Sequence, residues 1–291
     1  MQIYDISINS QQQELVQYID PQWPVAFYHT DIRRNIVGYI PLHWHEELQF
    51  VVITGGYVRF QIHGEDIYVH EGQGIFINSG VIHEAHADSS EGHYICWNIG
   101  LHISSSYIDK KFIGLLIQNE KVPFIVFSPG IDWQNEMIEA IKTGFAAYQN
   151  RLFGCELVIS QQYLVCIERI ITNFPPSHEQ IKVGHDPRVK EILRYMHQHY
   201  GTKITLDDVA NVAQLSRAET IRLFKKHLNR TPFQYLLSYR LERSKELLIQ
   251  TTSSITEISL DVGFSSTSYF IEKFKTAFGR TPHQFRQIDK I

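Results

Sequence analysis

The stretch "FKKHLNRTPFQY" at 224–235 returns fifty residues later as "FKTAFGRTPHQF" at 274–285. Phe224-Lys225 matches Phe274-Lys275, Arg230-Thr231-Pro232 matches Arg280-Thr281-Pro282, and Gln234 matches Gln284. A Thr-Pro turn used twice at one fixed offset marks a duplicated module. The residues before each copy repeat as well. "TLDDVANVA" at 205–213 opens on a capping box, Thr205 with Asp208, in which each side chain satisfies an orphan backbone donor at a helix start. A short turn leads into "SRAETIRLFKKHL" at 216–228, with a second box at Ser216 and Glu219. Ser254 and Glu257 then start "ITEISLDVGF", which runs through Gly263 into "SSTSYFIEKFKTAF". Short helix, tight turn, longer helix is helix-turn-helix spacing, and it occurs twice.

Outward from the repeat, "QYLLSYRLERSKELLIQ" at 234–250 reads as a linking helix with Leu236, Leu237, Leu241, Leu247 and Leu248 on its apolar side. Upstream, Asp186-Pro187 caps a helix whose apolar face is Val189, Ile192, Leu193, Met196 and Tyr200, and Gly201 ends it. Charge separates along the same line. Residues 188–291 carry 17 Lys and Arg against 10 Asp and Glu, a balance of +7, whereas the remaining 10 basic and 21 acidic residues leave −11. A basic C-terminal third on an acidic chain is the footprint of a polyanion-binding domain.

The line "SYRLERSKELLIQTTSSITEISLDVGFSSTSYFIEKFKTAFGRTPHQFR" at 238–286 closely resembles the signature of AraC/XylS transcription regulators. The resemblance spans about the last hundred residues. It implies a unit of seven helices that reads two adjacent major-groove segments of double-stranded DNA. It would place Arg217, Ala218, Ile221 and Arg222 in the first groove and Thr267, Ser268, Ile271 and Glu272 in the second. Arg222 has the chemistry to fork onto a guanine O6/N7 pair, and Ile221 and Ala218 can only meet thymine methyls. Lys225, Lys226, Lys273 and Lys275 suit phosphates, and Glu219 suits a cap rather than a base. Thr220 stands where the family usually has a buried Leu, which implies a less firmly seated first helix, and Glu272 stands where an Arg is frequent.

Residues 25–130 change character. Runs rich in Val, Ile, Phe and Tyr, punctuated by Gly pairs and Asn/Ser-Gly turns, read as an antiparallel sandwich or barrel. In "PLHWHEELQF", read as a strand, His43, His45, Glu47 and Gln49 share one face while Trp44, Leu48 and Phe50 share the other. "GQGIFINSGVIH" adds Gly72, Gly80 and His83. Together these are similar to the two cupin motifs, with Gln49 at the usual carboxylate position and Asn78 at the usual proline. The resemblance implies an effector pocket lined by His43, His45, Glu47, Gln49 and His83, with a sugar or related molecule as ligand. Three imidazoles, His43, His45 and His83, also make a divalent metal such as zinc a candidate occupant, with His86 in reserve. No cofactor is required by the regulator reading.

Two helical patterns follow. Trp133, Met137, Ile141, Phe145 and Tyr148 form one stripe; Leu157, Leu164 and Ile171 sit at heptad spacing with Ile167 between. The second suits either an intersubunit helix pair or burial against the barrel, and the family precedent favours a homodimer. "NFPPSHEQIKVGHD" at 173–186 has linker composition. The expected fold is therefore α+β and multidomain. A cupin-like antiparallel β-barrel (1–130) is followed by a helical dimerisation segment (131–172), a linker (173–187) and an all-α domain with two helix-turn-helix units (188–291).

The expected protein is a ligand-responsive, cytoplasmic regulator whose partners are operator DNA, a small effector, a second copy and RNA polymerase. The longest apolar run, "FVVITGGYV" at 50–58, is too short to span a bilayer, and "MQIYDISINS" lacks a signal peptide's basic and apolar regions. Cys96, Cys155 and Cys166 are odd in number and lack ligand spacing, as expected of reduced thiols. The rival reading is a metal cupin enzyme of oxygenase or isomerase type fused to a helical module. Against it stand Gln49 and a sequence without a nucleophilic triad, phosphate-cradling glycine loop or cofactor fingerprint.

Overall fold

Successive side chains of a strand face opposite ways, so a run as apolar as "FVVITGGYV" demands cover on both faces. The computed structural model describes residues 6–9, 13–18, 20, 22–35, 38–88, 91–101, 103–119, 121–175 and 186–288. It separates into two units, Met1–His185 and Asp186–Ile291. Among the described residues of the first, eight antiparallel strands form one sheet: β1 (Val25–Asp31), β2 (Ile40–His43), β3 (Leu48–Ile62), β4 (Glu65–His70), β5 (Gly74–Ile77), β6 (His83–His86), β7 (Gly92–Ile99) and β8 (Phe124–Phe127). The order β1-β7-β3-β5-β8 makes one side. Past a register shift between Ile53 and Gly55, β3 pairs with β4 and β6 on the other side, and β2 pairs with β6.

Alternation then sorts the side chains into two cores. Leu48, Phe50 and Val52 of β3, with Phe27 and Trp97, face outward; Val51, Ile53 and Phe60, with Tyr28 and Cys96, fill the barrel. The outward face is covered by α1 (Asp132–Asn150) and α2 (Cys155–Asn173). The expected α1 stripe is present, with Met137, Ile141 and Phe145 buried and Trp133 and Tyr148 partly so. Gly144 lets α1 approach the sheet, because a β-carbon there would meet the Phe27 ring at 3.2 Å. On α2, Ile159, Tyr163, Ile167 and Ile170 are buried, whereas Leu157 and Leu164 are 77% and 37% exposed and Ile171 is half-buried. Of the linker expected at 173–187, residues 176–185 lie outside the described residues.

"PLHWHEELQF" is not one strand. β2 ends at His43, the chain bends at 46–47, and β3 starts at Leu48. Asn78, at the expected proline position, is buried and donates to the carbonyls of Leu116 and Val122 at 2.9 and 3.0 Å, pinning that loop. All three cysteines carry free thiols.

The second unit has α3 (Pro187–His199), α4 (Leu206–Val212), α5 (Arg217–Leu228), α6 (Pro232–Gln250), α7 (Ile255–Asp261), α8 (Thr267–Phe278) and α9 (Pro282–Ile288). The capping boxes at Thr205, Ser216 and Ser254 are all formed. The repeat acquires a physical meaning: Asn229 (φ 52) and Gly279 (φ 72) end α5 and α8 in the left-handed conformation. Thr231 and Thr281 then restart the chain, their backbone N–H groups donating to Gln234 and Gln284 at 2.8 and 3.0 Å, with proline in the first turn. Each copy is a helix stop joined to a helix start.

An arginine ties three of these segments together. Arg240 of α6 donates from Nε to the Tyr200 carbonyl at 2.8 Å and from Nη2 to the Thr202 carbonyl at 2.7 Å. Gly263 (φ 84), between α7 and α8, lies on the same spot: a β-carbon would stand 2.4 Å from the Tyr200 oxygen and 2.8 Å from Arg240 Nη2. Gly201 is needed for close approach to Asp261, whose oxygen a β-carbon would meet at 2.6 Å, and not as the left-handed helix stop its position suggested.

Gly263→Ala is therefore expected to lower stability by about 1–3 kcal/mol in urea melts of the full chain followed by circular dichroism. Gly279→Ala, at left-handed backbone facing open space, should cost about 1 kcal/mol. Equal losses would show that close packing at Gly263 carries no weight.

Candidate functional site

Two surfaces carry chemistry. On α5, Arg217, Ala218, Arg222, Lys225 and Lys226 are exposed and Ile221 is half-buried; on α8, Ser268, Glu272 and Lys275 are exposed, and Thr267, Ile271 and Lys273 half-buried. The apolar backs of the two helices, Phe224 and Phe270 with Phe274, are fully buried, which fixes the faces left to solvent. Several of the expected readers are already engaged. Arg217 forms a two-pronged ion pair with Asp207 of α4, Lys273 pairs with Glu272 at 3.1 Å, and the Thr267 hydroxyl lies 3.0 Å from that of Ser259. Arg222, by contrast, is exposed, and after the hydrogen bonds with Ser216 its positive charge helps hold the Glu219 carboxyl below its ordinary range. Glu219 is the N3 member of the Ser216 capping box, as expected. Thr220 is fully buried, and its hydroxyl donates to the Ser216 carbonyl at 3.0 Å, so the smaller residue leaves no polar group unsatisfied.

The barrel surface is a cluster of three histidines. His43 ends β2 directly opposite His83, which begins β6, and His45 follows in the bend after β2. Ring centroids lie 4.2 Å apart for His43 and His83, 5.2 Å for His45 and His83, and 5.9 Å for His43 and His45. All three are buried, with one nitrogen from each ring within 4.8 Å of the others. Each Nδ1 sits against a backbone carbonyl: Pro41 for His43 at 2.8 Å, Glu47 for His45 at 3.0 Å and Val81 for His83 at 2.9 Å. A carbonyl oxygen only accepts, so every Nδ1 carries the proton and every Nε2 a lone pair. Burial pushes the His83 pKa down to about 4 and that of His43 well below its ordinary value, helped there by His83 and His45.

The other expected pocket residues divide. Gln49 and His83 line a small cavity of about 20 Å³ together with His43, Cys96, Asn98 and Glu14. The Gln49 amide nitrogen donates to Cys96 Sγ at 3.2 Å. Glu47 accepts from the Tyr18 hydroxyl and stands 3.9 Å from His45 Nδ1. His86 is apart from the cluster, stacked on Tyr39 at 4.5 Å and 3.2 Å from Glu84.

Sequence reasoning missed Glu14. Its backbone N–H donates to the Trp44 carbonyl at 2.9 Å, and its carboxylate lies 3.7 Å from His43 Nε2, with a pKa that burial and then Glu47 push up to about 8. Nothing local marks it: the contact joins residues nearly thirty positions apart.

Two family models match the chain, an AraC-like ligand binding domain over residues 26–102 and a helix-turn-helix domain over 209–288. The chain is 38% identical over 285 residues to the uncharacterized HTH-type transcriptional regulator YdeC of Bacillus subtilis, covering 97% of this chain and 98% of that one. It is 31% identical over 140 residues to the xylose operon regulatory protein of Escherichia coli, 48% of this chain and 35% of that one. A solved AraC-type DNA-binding regulator from Chromobacterium violaceum aligns over 35% of this chain and 90% of its own, at 36% identity and TM-score 0.34.

Nitrogen-15 spectra of the histidine rings should show neutral Nδ1–H tautomers for His43, His45 and His83 at neutral pH; an Nε2–H form in any of them contradicts the geometry. Because the folded pKa of His83 lies below the unfolded value of about 6.5, the unfolded state binds more protons between the two. This ring therefore costs the barrel stability as pH falls from about 6.5 towards 4, by roughly 1.4 kcal/mol per pH unit.

Proposed function

The chain belongs to the AraC family of transcriptional regulators, and from that premise we propose how its parts divide the work of a regulator, as distinct from an enzyme. Residues 188–291 bind double-stranded operator DNA, with α5 and α8 entering successive major grooves on one face, about 34 Å apart. Arg222 forks to a guanine, with Arg217, Ala218 and Ile221 beside it. Thr267, Ser268, Ile271 and Glu272 face the second groove, and Lys225, Lys226, Lys273 and Lys275 hold phosphates. The observation that supports this most is the duplicated, capped helix pair bridged by Arg240. Arg217 has to exchange Asp207 for DNA, which makes it the weaker reader.

Residues 1–130 sense a small effector at His43, His45, Glu47, Gln49 and His83. A sugar is the organic candidate, the xylose operon regulatory protein being among the relatives. It has to open the barrel, whose cavity is about 20 Å³ against the roughly 300 Å³ or more of an ordinary ligand site. Whatever binds acts only by preferring one of two arrangements of the dimer. Residues 131–172 pair two copies through the exposed α2 face of Leu157, Val158 and Leu164, and 173–187 link the units. Among the described residues no helix is long and apolar enough to cross a membrane. Work on DNA in the cytoplasm, with contact to RNA polymerase, belongs to the same proposal.

Against duplexes selected from a random pool, Arg222→Ala should lose about 1–3 kcal/mol of sequence discrimination in fluorescence anisotropy titrations. Lys225→Ala should weaken all sequences alike and reduce the salt slope by about one. Equal losses on selected and random DNA for Arg222→Ala would remove its assigned role. Leu157→Asp with Leu164→Asp should leave a folded monomer by light scattering; an unchanged mass would place the dimer contact elsewhere.

A further inference from the structure

Among its described residues the second unit exposes three large apolar side chains, and all three line one groove. Phe233 of α6 is 42% exposed, Leu260 of α7 56% and Tyr269 of α8 45%. Single exposed apolar residues are ordinary, but three that converge on one concavity mark a binding surface. Buried Leu236 and Phe264 continue the apolar lining. The groove holds about 540 Å³, within the roughly 300–1,000 Å³ of small-molecule sites. The cavity beside the barrel histidines, at about 20 Å³, is far smaller.

Charge selects the guest. Lys203 and Arg240 line the groove, and no carboxylate lines it among the described residues. Lys203 is exposed in the turn after α3. Arg240 gives two of its N–H donors to the Tyr200 and Thr202 carbonyls and keeps others. Burial lowers its pKa, with no neighbouring carboxylate to offset that. Arg243, one turn along α6, by contrast pairs with Glu246 at 2.5 Å. Two cations beside an apolar wall are complementary to one negative charge carried on an apolar body. A DNA backbone matches the charge but not the wall, and a neutral guest leaves Arg240 without a counter-ion.

We propose that this groove binds an amphipathic organic acid, its carboxylate on Arg240 and Lys203 and its apolar body against Phe233, Leu260 and Tyr269. The site is separate from the barrel pocket assigned above to the effector. Its guest touches the turn after α3, the linking helix α6 and the turn before α8, the same segments that Arg240 joins. Occupancy therefore holds the arrangement assigned above to DNA reading and should tighten operator binding. By linkage the operator tightens the acid by the same factor. The coupling rests on that DNA reading, whereas the binding does not.

The test uses the full chain with 3-phenylpropionate as the probe, beside its neutral amide and 3-phenylpropylamine. Spectra of methyl-labelled protein should shift at Ile204, Leu236 and Leu260 as the acid is added. Calorimetry should rank the acid about fivefold or more above the amide and show no binding of the amine. Leu260→Ser, at an exposed position, should weaken the acid about tenfold while keeping the parent's circular dichroism. Lys203→Gln should weaken the acid about threefold and leave the amide unchanged. Saturating acid should tighten a duplex selected from a random pool about fivefold.

Absent shifts, equal affinities for acid and amide, or parent-like binding by both variants would overturn the site. Shifts confined to the barrel would sink the groove and leave the sensor reading standing. Mutual exclusion of acid and duplex would make the groove part of the DNA surface and overturn the proposal. A rise in mass with concentration that Leu260→Ser removes, without acid binding, would assign the groove to a second copy. Acid bound in the groove with operator affinity unchanged would uphold the site and overturn the coupling.

Discussion

Arg240 is the constraint on which the second unit turns. Tyr200 is the C-cap of α3, where backbone carbonyls lack helical partners and the dipole is negative. The guanidinium of α6 answers both needs, donating to Tyr200 and Thr202, while Gly263 between α7 and α8 lies against it without a side chain in the way. Burial draws the Arg240 pKa down, which is the cost of taking a cation out of water; the two carbonyl bonds offset it. One residue thus joins the entry to the first helix-turn-helix, the linking helix and the turn of the second. The guanidinium of one side chain thereby ties α6 to the backbone after α3, with the turn before α8 packed against it.

The barrel uses backbone carbonyls in a comparable way. In the helical unit a cation satisfies carbonyls and thereby fixes helices. In the barrel the carbonyls of Pro41, Glu47 and Val81 take the Nδ1 protons of three histidines and thereby fix which nitrogen faces inward. The cluster exists because β2 and β6 place His43 and His83 opposite each other, and because the bend before β3 turns His45 back towards them. Strands apolar on both faces give that site a rigid wall, one face packed inside the barrel and the other under α1 and α2.

What the sequence made legible was local. Capping boxes, helical stripes, the fifty-residue repeat and the strand alternation each depend on residues a few positions apart, and those elements stand where they were expected. The histidines were legible because a spacing motif carried them. The rest depends on contacts far along the chain. Glu14 reaches His43, Arg240 reaches Tyr200, and Gly201 meets Asp261, none of which leaves a periodic trace. The break between β2 and β3 was hidden because His43, His45 and Gln49 keep strand-like spacing across a bend. The pairing of Arg217 with Asp207 was hidden for the same reason as Arg240: complementary charges find each other only once the helices are packed.

Hydroxyl-radical footprinting of the full chain on a duplex chosen from a random pool tests the central claim most directly. Twin recognition helices at a spacing fixed by the fold should protect two patches on one DNA face for each bound molecule, their centres one helical repeat, about 10–10.5 base pairs, apart. A single patch per molecule, or two on opposite faces of the duplex, would contradict the account.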